Sequence, residues 1–437
     1  MKSRSRSARM LLGIFLVAAL VLPSVLSAAE DVKIGVLFPL TGGAASAGRE
    51  LRAGAELALE IANNPMPDIN MTMAKNAGIK SMGGAKVILI FKDHEGNPTL
   101  GADLAKKLIL DDKVHGLMGA YHSAVTKAVS AVAEQYGIPL INDSSTSPEL
   151  TRQGYKWFWR TTPHDIYFTK DLFEFLKGMT EGKVKGLPAV PKKDIMNLAS
   201  ACEKTEWGAA VSELIEKFGK DYGFEVKKSI LYGAKATDLS SEVRSLTAVK
   251  PDAMLFASYG SDAILMMKTL KDQKAAPKLL WGQDAGFEVP EFVSTLGEIT
   301  VGSLTRTVFI PKIAQVKPIA AKVNAMYKAK TGNDLSGASA RSFTGLQAWV
   351  YILEKAGSVK PADIQKAANS IEIPGDELVV PWQGIKFATT GEDIGQNELG
   401  TGMIGQYQKD KDGNITMEIA YPFDVATANL IYPLKGF

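Results

Sequence analysis

Cysteine is almost absent from this chain of 437 residues: Cys202 is the only one. A single cysteine excludes an internal disulfide. It also leaves no cysteine near the N-terminus where a bacterial lipoprotein would carry its lipid. Histidine is nearly as scarce, with four residues scattered along the chain, so a histidine-rich metal centre is not expected. Long apolar runs are missing too. The longest, Met10 to Leu22, has 13 residues, short of the about 20 that a membrane-spanning helix needs. No block of like charge suggests a polybasic surface, and nucleic acid is not an expected partner.

The short apolar run has a meaning of its own. Lys2, Arg4, Arg6 and Arg9 precede it without any acidic residue, Pro23 ends it, and Ser27-Ala28-Ala29 follows with small side chains. This is the order of a secretory signal, with residues 1–29 removed and cleavage near Ala29. The full chain has 50 basic and 47 acidic residues; without the leader's four basic groups the net charge is about −1. The mature protein is therefore expected to be exported, free of a lipid anchor, and stabilised by its core alone.

Beyond the leader, short apolar strands alternate with amphipathic helices. Val32–Phe38, Lys86–Phe91, Val114–Met118 and Ile138–Asn142 read as strands, and Gly48–Ile61, Pro98–Leu110 and Ser123–Tyr136 as helices. Asn97-Pro98 supplies an N-cap followed by proline at the first helical position. The rhythm restarts after Pro163 and runs to Trp281. Repeated strand–helix–strand order predicts an α/β fold with two doubly wound parallel sheets. Asp412-Gly413, between Gly405–Gln408 and Ile415–Ala420, predicts a hairpin.

Catalytic patterns fail in turn. Gly43 to Gly48 has the glycine spacing of a phosphate loop, but Arg49-Glu50 stands where Lys and Ser or Thr are required. Asp93-His94-Glu95 lacks the second histidine of a zincin helix, and its neighbours alternate in direction along a strand end, so the trio reads as solvated. Gly337-Ala338-Ser339-Ala340-Arg341 lacks the last glycine of a nucleophile elbow. Cys202 has no histidine near it in sequence. No enzymatic role, cofactor or metal is expected. Ligands of open parallel sheets sit beyond the carboxyl ends of the strands. The loops there are rich in Ser, Thr, Gly and aromatic residues, and none holds a dense charge cluster.

One segment is more specific. Gly116 to Thr151, GLMGAYHSAVTKAVSAVAEQYGIPLINDSSTSPELT, resembles the ligand-binding proteins of branched-chain amino acid ABC transporters, which have the type I periplasmic-binding-protein fold. The similarity extends over nearly the whole mature chain. It passes through Ile34-Gly35, Leu40-Thr41-Gly42, Gly54, Asp93 to Pro98, Arg160-Thr161-Thr162-Pro163, Trp207-Gly208, Tyr259-Gly260 and Gly282 to Phe287.

The resemblance implies two lobes joined by a three-strand hinge, with an amino acid held between them. Residues 30–162 plus 311–378 would form one lobe, and 163–310 plus 379–437 the other. Crossings would fall near Arg160–Pro163, Thr307–Pro311 and Ile373–Val380. The ligand's carboxylate would meet Ser123, where the start of a helix also favours an anion; an ordinary N-cap serine is the alternative. Ser144, through its carbonyl, and Thr146 would hold the ammonium and help with the carboxylate, unless Thr146 caps the following helix. Trp207, Tyr259 and Tyr121 would wall the pocket. Asp284 matches a family glutamate that pairs with the ammonium, but is one methylene shorter; it could equally cap its own turn. The small Ala47 stands where the family often has a large residue. The implied partners are a small-molecule ligand and an inner-membrane permease, with the protein itself a periplasmic monomer. Amides, urea and aromatic carboxylates remain alternative ligands, a sensory receptor an alternative partner, and a secreted α/β enzyme an alternative class.

Overall fold

The computed structural model describes residues 30–436, so the expected leader lies outside the described residues. The first sheet contains β1 (Val32–Phe38), β2 (Val87–Asp93), β3 (Gly116–Gly119), β4 (Leu140–Asn142) and β5 (Phe158–Arg160), in the order β2-β1-β3-β4-β5. Every pairing in it is parallel. Helices α1 (Ala45–Asn63), α2 (Pro98–Leu110) and α3 (Ser123–Tyr136) make its first crossovers. Six of the seven β1 residues are buried, as expected of a strand covered on both faces. Asn97 caps α2 by accepting from the N–H groups of Thr99 and Leu100.

After β5 the chain enters a second lobe. Its elements are α4 (Asp165–Thr180), β6 (Asn197–Glu203), α5 (Glu206–Asp221), β7 (Glu225–Tyr232), α6 (Ser240–Thr247), β8 (Ala253–Ala257), α7 (Gly260–Asp272), β9 (Leu279–Gly282), α8 (Pro290–Leu296) and β10 (Leu304–Thr307). The chain then returns to the first lobe for α9 (Pro318–Thr331), α10 (Gly337–Ala356) and α11 (Pro361–Ala368). A small pair, β11 (Ile373–Pro374) and β12 (Gly384–Ile385), follows. Finally β13 (Met403–Lys409) and β14 (Ile415–Tyr421) form the predicted hairpin, which extends the second sheet in antiparallel fashion to β14-β13-β10-β9-β8-β6-β7.

The third crossing lies later than expected. Gln396 bridges Arg160 in parallel, and the Asn397 N–H donates to the Arg160 carbonyl at 2.8 Å. The chain up to Asn397 therefore extends the β5 edge of the first sheet. We place the crossing between Asn397 and Met403, not near Ile373–Val380.

Helix α10 is buried along most of its length, and it lies against α1. A Cβ at Gly54 would stand 2.1 Å from the Ser339 carbonyl oxygen. The missing side chain thus permits close helix contact. That contact seats Arg341 in the interior, with 1% of it exposed.

Candidate functional site

The seven residues singled out in the sequence sit just beyond the carboxyl ends of parallel strands, where open α/β sheets bind ligands. Tyr121 follows β3, Ser144 and Thr146 follow β4, Trp207 follows β6, Tyr259 follows β8 and Asp284 follows β9. Ser123 is the first residue of α3.

Ser123 does not cap its helix. The capping position is His122, whose side chain makes no capping bond, and the buried Ser123 Oγ accepts from the Ser147 N–H at 3.3 Å. Helix α3 and the loop after β4 therefore meet at this serine. That loop is braced from below. Asn142 Oδ1 accepts from the N–H groups of Ser144 and Ser145. Buried Arg160 donates to the Ser147 carbonyl at 2.6 Å, to Thr151 Oγ1 at 3.1 Å and to Gln396 Oε1 at 2.6 Å. Ser144 Oγ donates to Asp143 Oδ1 at 2.9 Å.

An aromatic chain crosses between the lobes. Tyr121 lies 5.5 Å from Tyr259, centroid to centroid, and Tyr259 lies 4.8 Å from Trp207. His122 joins it, 4.4 Å from Tyr259. Tyr121 Oη and Trp207 Nε1 are buried without a hydrogen-bond partner among the described residues. A cavity of about 90 Å³ adjoins the chain, lined by His122 and Tyr259 together with Thr41, Gly43, Glu203 and Asp262. The lobes also touch directly here. The Ser261 N–H donates to the Gly43 carbonyl at 3.1 Å, and Lys127 Nζ lies 3.1 Å from Glu206 Oε1.

Within Asp93-His94-Glu95, expected to be solvated, Glu95 is exposed and Asp93 partly so, but His94 is not. His94 is fully buried, with Nε2 2.8 Å from the Ala120 carbonyl oxygen, and burial pushes its pKa down to about 4. Asp93 accepts from the Leu40 N–H and the Thr41 hydroxyl. Asp93 thus braces the loop before α1, and His94 the loop before α3. Among the described residues, no cluster of three or more His, Cys, Asp or Glu side chains could hold a metal ion. Cys202 is buried, and burial pushes its thiol up to about 12, far from thiolate reactivity.

Asp284 lies between two arginines. Its Oδ2 lies 2.8 Å from Arg306 Nη1 and 2.7 Å from Arg341 Nη2. Its side chain makes no capping bond. Arg306 also reaches Asp165 Oδ1 at 2.8 Å and Thr146 Oγ1 at 3.3 Å, while Arg341 reaches Glu288 Oε1 at 2.9 Å. Thr146 in turn donates to Asp165 Oδ2 at 2.9 Å. Phe168 stacks beneath Arg306, 3.8 Å from its guanidinium carbon. Burial pushes Asp165 up to about 6 and Glu288 up to about 7, against the pull of the arginines.

No single loop holds a dense charge cluster, as the sequence shows, yet the interior does. Asp165 comes from the start of α4, Arg306 from β10, Arg341 from α10, and Asp284 and Glu288 from the segment between β9 and α8, so only the fold gathers them. Arg306, Arg341, Asp165 and Glu288 were not among the residues singled out in the sequence. One signal was present: Arg341 is the sole charge in the sixteen residues from Gly337 to Ile352, a run otherwise made of small, apolar and neutral polar side chains. A lone arginine in a buried helix must find a partner.

The arrangement is suited to capture: a helix N-terminus with a serine can offer donors to an anion, and aromatic faces can cover an apolar body where the lobes touch. Comparison with known proteins points the same way. The family model described as "Periplasmic binding protein" matches residues 31–397. The Leu/Ile/Val-binding protein homolog 8 of Brucella suis is 28% identical over 429 residues, covering 97% of this chain and 99% of that protein. The leucine-binding protein LivK of Thermotoga maritima superposes with a TM-score of 0.73 at 21% identity, covering 90% of this chain and 99% of that one. A solute-binding protein of R. palustris, solved in complex with benzoate, superposes with a TM-score of 0.72 at 18% identity, covering 93% of this chain and 100% of that one. No described helix is long and apolar enough to cross a membrane.

Proposed function

The chain belongs to the periplasmic-binding-protein family, and from that premise we propose that it is the periplasmic, non-catalytic capture component of an ABC uptake transporter. In this reading it binds a hydrophobic or aromatic amino acid between its lobes, as a monomer, and delivers it to an inner-membrane permease. The observation that carries the reading is the interlobe chain of Tyr121, Tyr259 and Trp207 beside Ser123 at the start of α3.

The ligand's carboxylate would lie against Ser123 Oγ and the free N–H groups of the first turn of α3. Its side chain would lie among the aromatic rings, and the loop of Ser144 and Thr146 would border its head. Closure follows from contacts that exist only when the lobes meet, so a ligand touching both lobes shifts the population toward the closed form.

A second ligand class has a specific observation in its favour. Asp284 is already bound by two guanidiniums, which leaves it poorly placed to receive an ammonium. An aromatic carboxylate without an ammonium fits that arrangement.

Calorimetry of the chain lacking residues 1–29 separates the readings. The amino-acid reading expects leucine or phenylalanine to bind at least tenfold more tightly than 4-methylpentanoate or benzoate; the carboxylate reading expects the reverse. Ser123→Ala is expected to weaken either ligand about tenfold, equivalent to about 1.4 kcal/mol. Failure of all four compounds to bind refutes both readings.

A further inference from the structure

A second cavity, of about 580 Å³, opens on the flank of the interlobe cleft. It shares no lining residue with the smaller cavity at Tyr259. Both lobes and the second crossing contribute to it: Val293 of α8 and Met417 of β14 from the second lobe, Leu335 from the first, and Phe309 from the crossing. These four side chains are apolar, polar groups such as Asn333, Ser336 and Thr416 complete the lining, and the volume falls within the range of about 300–1,000 Å³ found for small-molecule sites.

Glu288 also lines this cavity. Its side chain is 1% exposed, and Oε1 is held by Arg341. Oε2 has no hydrogen-bond partner among the described residues. The Thr307 hydroxyl is near enough to offset part of the upward shift of Glu288, but it donates to the Phe309 carbonyl at 3.2 Å. A Cβ at Gly337 would fall 2.2 Å from Glu288 Oε2, so glycine at that position leaves the carboxylate its place. An unpaired buried carboxylate oxygen is costly and calls for a donor.

Charge balance specifies that donor. Asp165, Asp284 and Glu288 present three carboxylates to the guanidiniums of Arg306 and Arg341. With all three ionised the excess is one negative charge; burial resists that, pushing Glu288 up to about 7, and a cation beside its free oxygen would favour the ionised form. The other charged residues along the cavity have partners of their own: Lys312 lies 3.1 Å from Glu418 Oε1, and Asp334 3.0 Å from Lys328 Nζ. We propose that this flank cavity is a second ligand site, taking a primary ammonium carried on a short apolar body, with Glu288 as its counter-charge. The inference is independent of what the cleft at Ser123 binds.

The test uses the chain lacking residues 1–29 and three probes of matched shape: 3-methylbutan-1-amine, 3-methylbutan-1-ol and 3-methylbutanoate. Calorimetry or ligand-observed NMR is expected to show saturable binding of the amine, at least tenfold tighter than either other probe. Glu288→Gln is expected to weaken the amine at least tenfold. Because that change also touches Arg341, a second variant, Val293→Trp, fills the cavity from the partly exposed helix α8 and is expected to abolish binding with the far-UV circular dichroism unchanged. Equal affinity for the three probes, no amine binding, or undiminished amine binding to a folded Val293→Trp chain overturns the proposal.

Discussion

Replacing Asp284 by asparagine tests the interior charge cluster most directly. The change keeps the shape and removes one charge. Asp284 Oδ2 stands 2.8 Å from Arg306 and 2.7 Å from Arg341, and neither arginine is more than 1% exposed. Removing one partner of a buried ion pair costs about 3–5 kcal/mol, mostly because a charge is left uncompensated. Here each arginine keeps a second carboxylate, Asp165 at 2.8 Å and Glu288 at 2.9 Å. Three carboxylates facing two guanidiniums become two facing two. The expected loss is therefore at the bottom of the range, about 3 kcal/mol. Arg341→Met does the opposite and leaves three carboxylates around one guanidinium, so it is expected to cost more, about 5 kcal/mol. Urea denaturation followed by tryptophan fluorescence measures both, provided the slope with urea is unchanged. A loss below about 1 kcal/mol for Asp284→Asn, typical of an exposed pair, refutes the reasoning. So does an Arg341→Met variant more stable than Asp284→Asn.

Two further outcomes are expected. Burial, then repulsion from Asp262, pushes Glu203 up to about 8, against a bond from the Tyr259 N–H. The folded chain keeps a proton that the unfolded chain releases near 4.5, so this contribution to stability is complete below pH 4.5 and is lost as pH rises through about 8. Glu203→Gln is expected to shrink the difference in stability between pH 5 and pH 8.5, read by urea denaturation; an unchanged difference refutes it. Gly54→Ala places a Cβ where the Ser339 carbonyl oxygen lies 2.1 Å away, and is expected to destabilise the chain by about 1–3 kcal/mol through forced separation of α1 and α10. An unchanged denaturation midpoint refutes that.

Much of the architecture was legible before the structure. Helix α3 begins and ends at the residues expected, Ser123 and Tyr136, because a strand precedes it and Gly137 stops it in the left-handed region at φ 65°. Asn97-Pro98 marked the start of α2 through groups adjacent in the chain. Strand β1 declared itself by an apolar run long enough to be covered on both faces. The third crossing was misplaced because nothing local marks it. Residues up to Asn397 are held to β5 by backbone bonds across more than 230 positions, a pairing with no sequence period. His94 departed from expectation for a related reason: the loop before α3, distant in sequence, covers it through the Ala120 carbonyl, while Glu95 stays exposed.

The site divides along the same line. Sequence alone determined where candidate ligand-facing side chains can project, since the ends of parallel strands and the starts of helices are local features. Ser123, Thr146, Trp207 and Tyr259 lie at such ends, and the family resemblance is what singled them out. Only the tertiary structure decided the partners of Asp284. Arg306 comes from a strand 22 residues later and Arg341 from a helix 57 residues later. Coulomb attraction acts through space and depends on burial, and neither the distance nor the burial of a pair so far apart in sequence is written in the chain around either member.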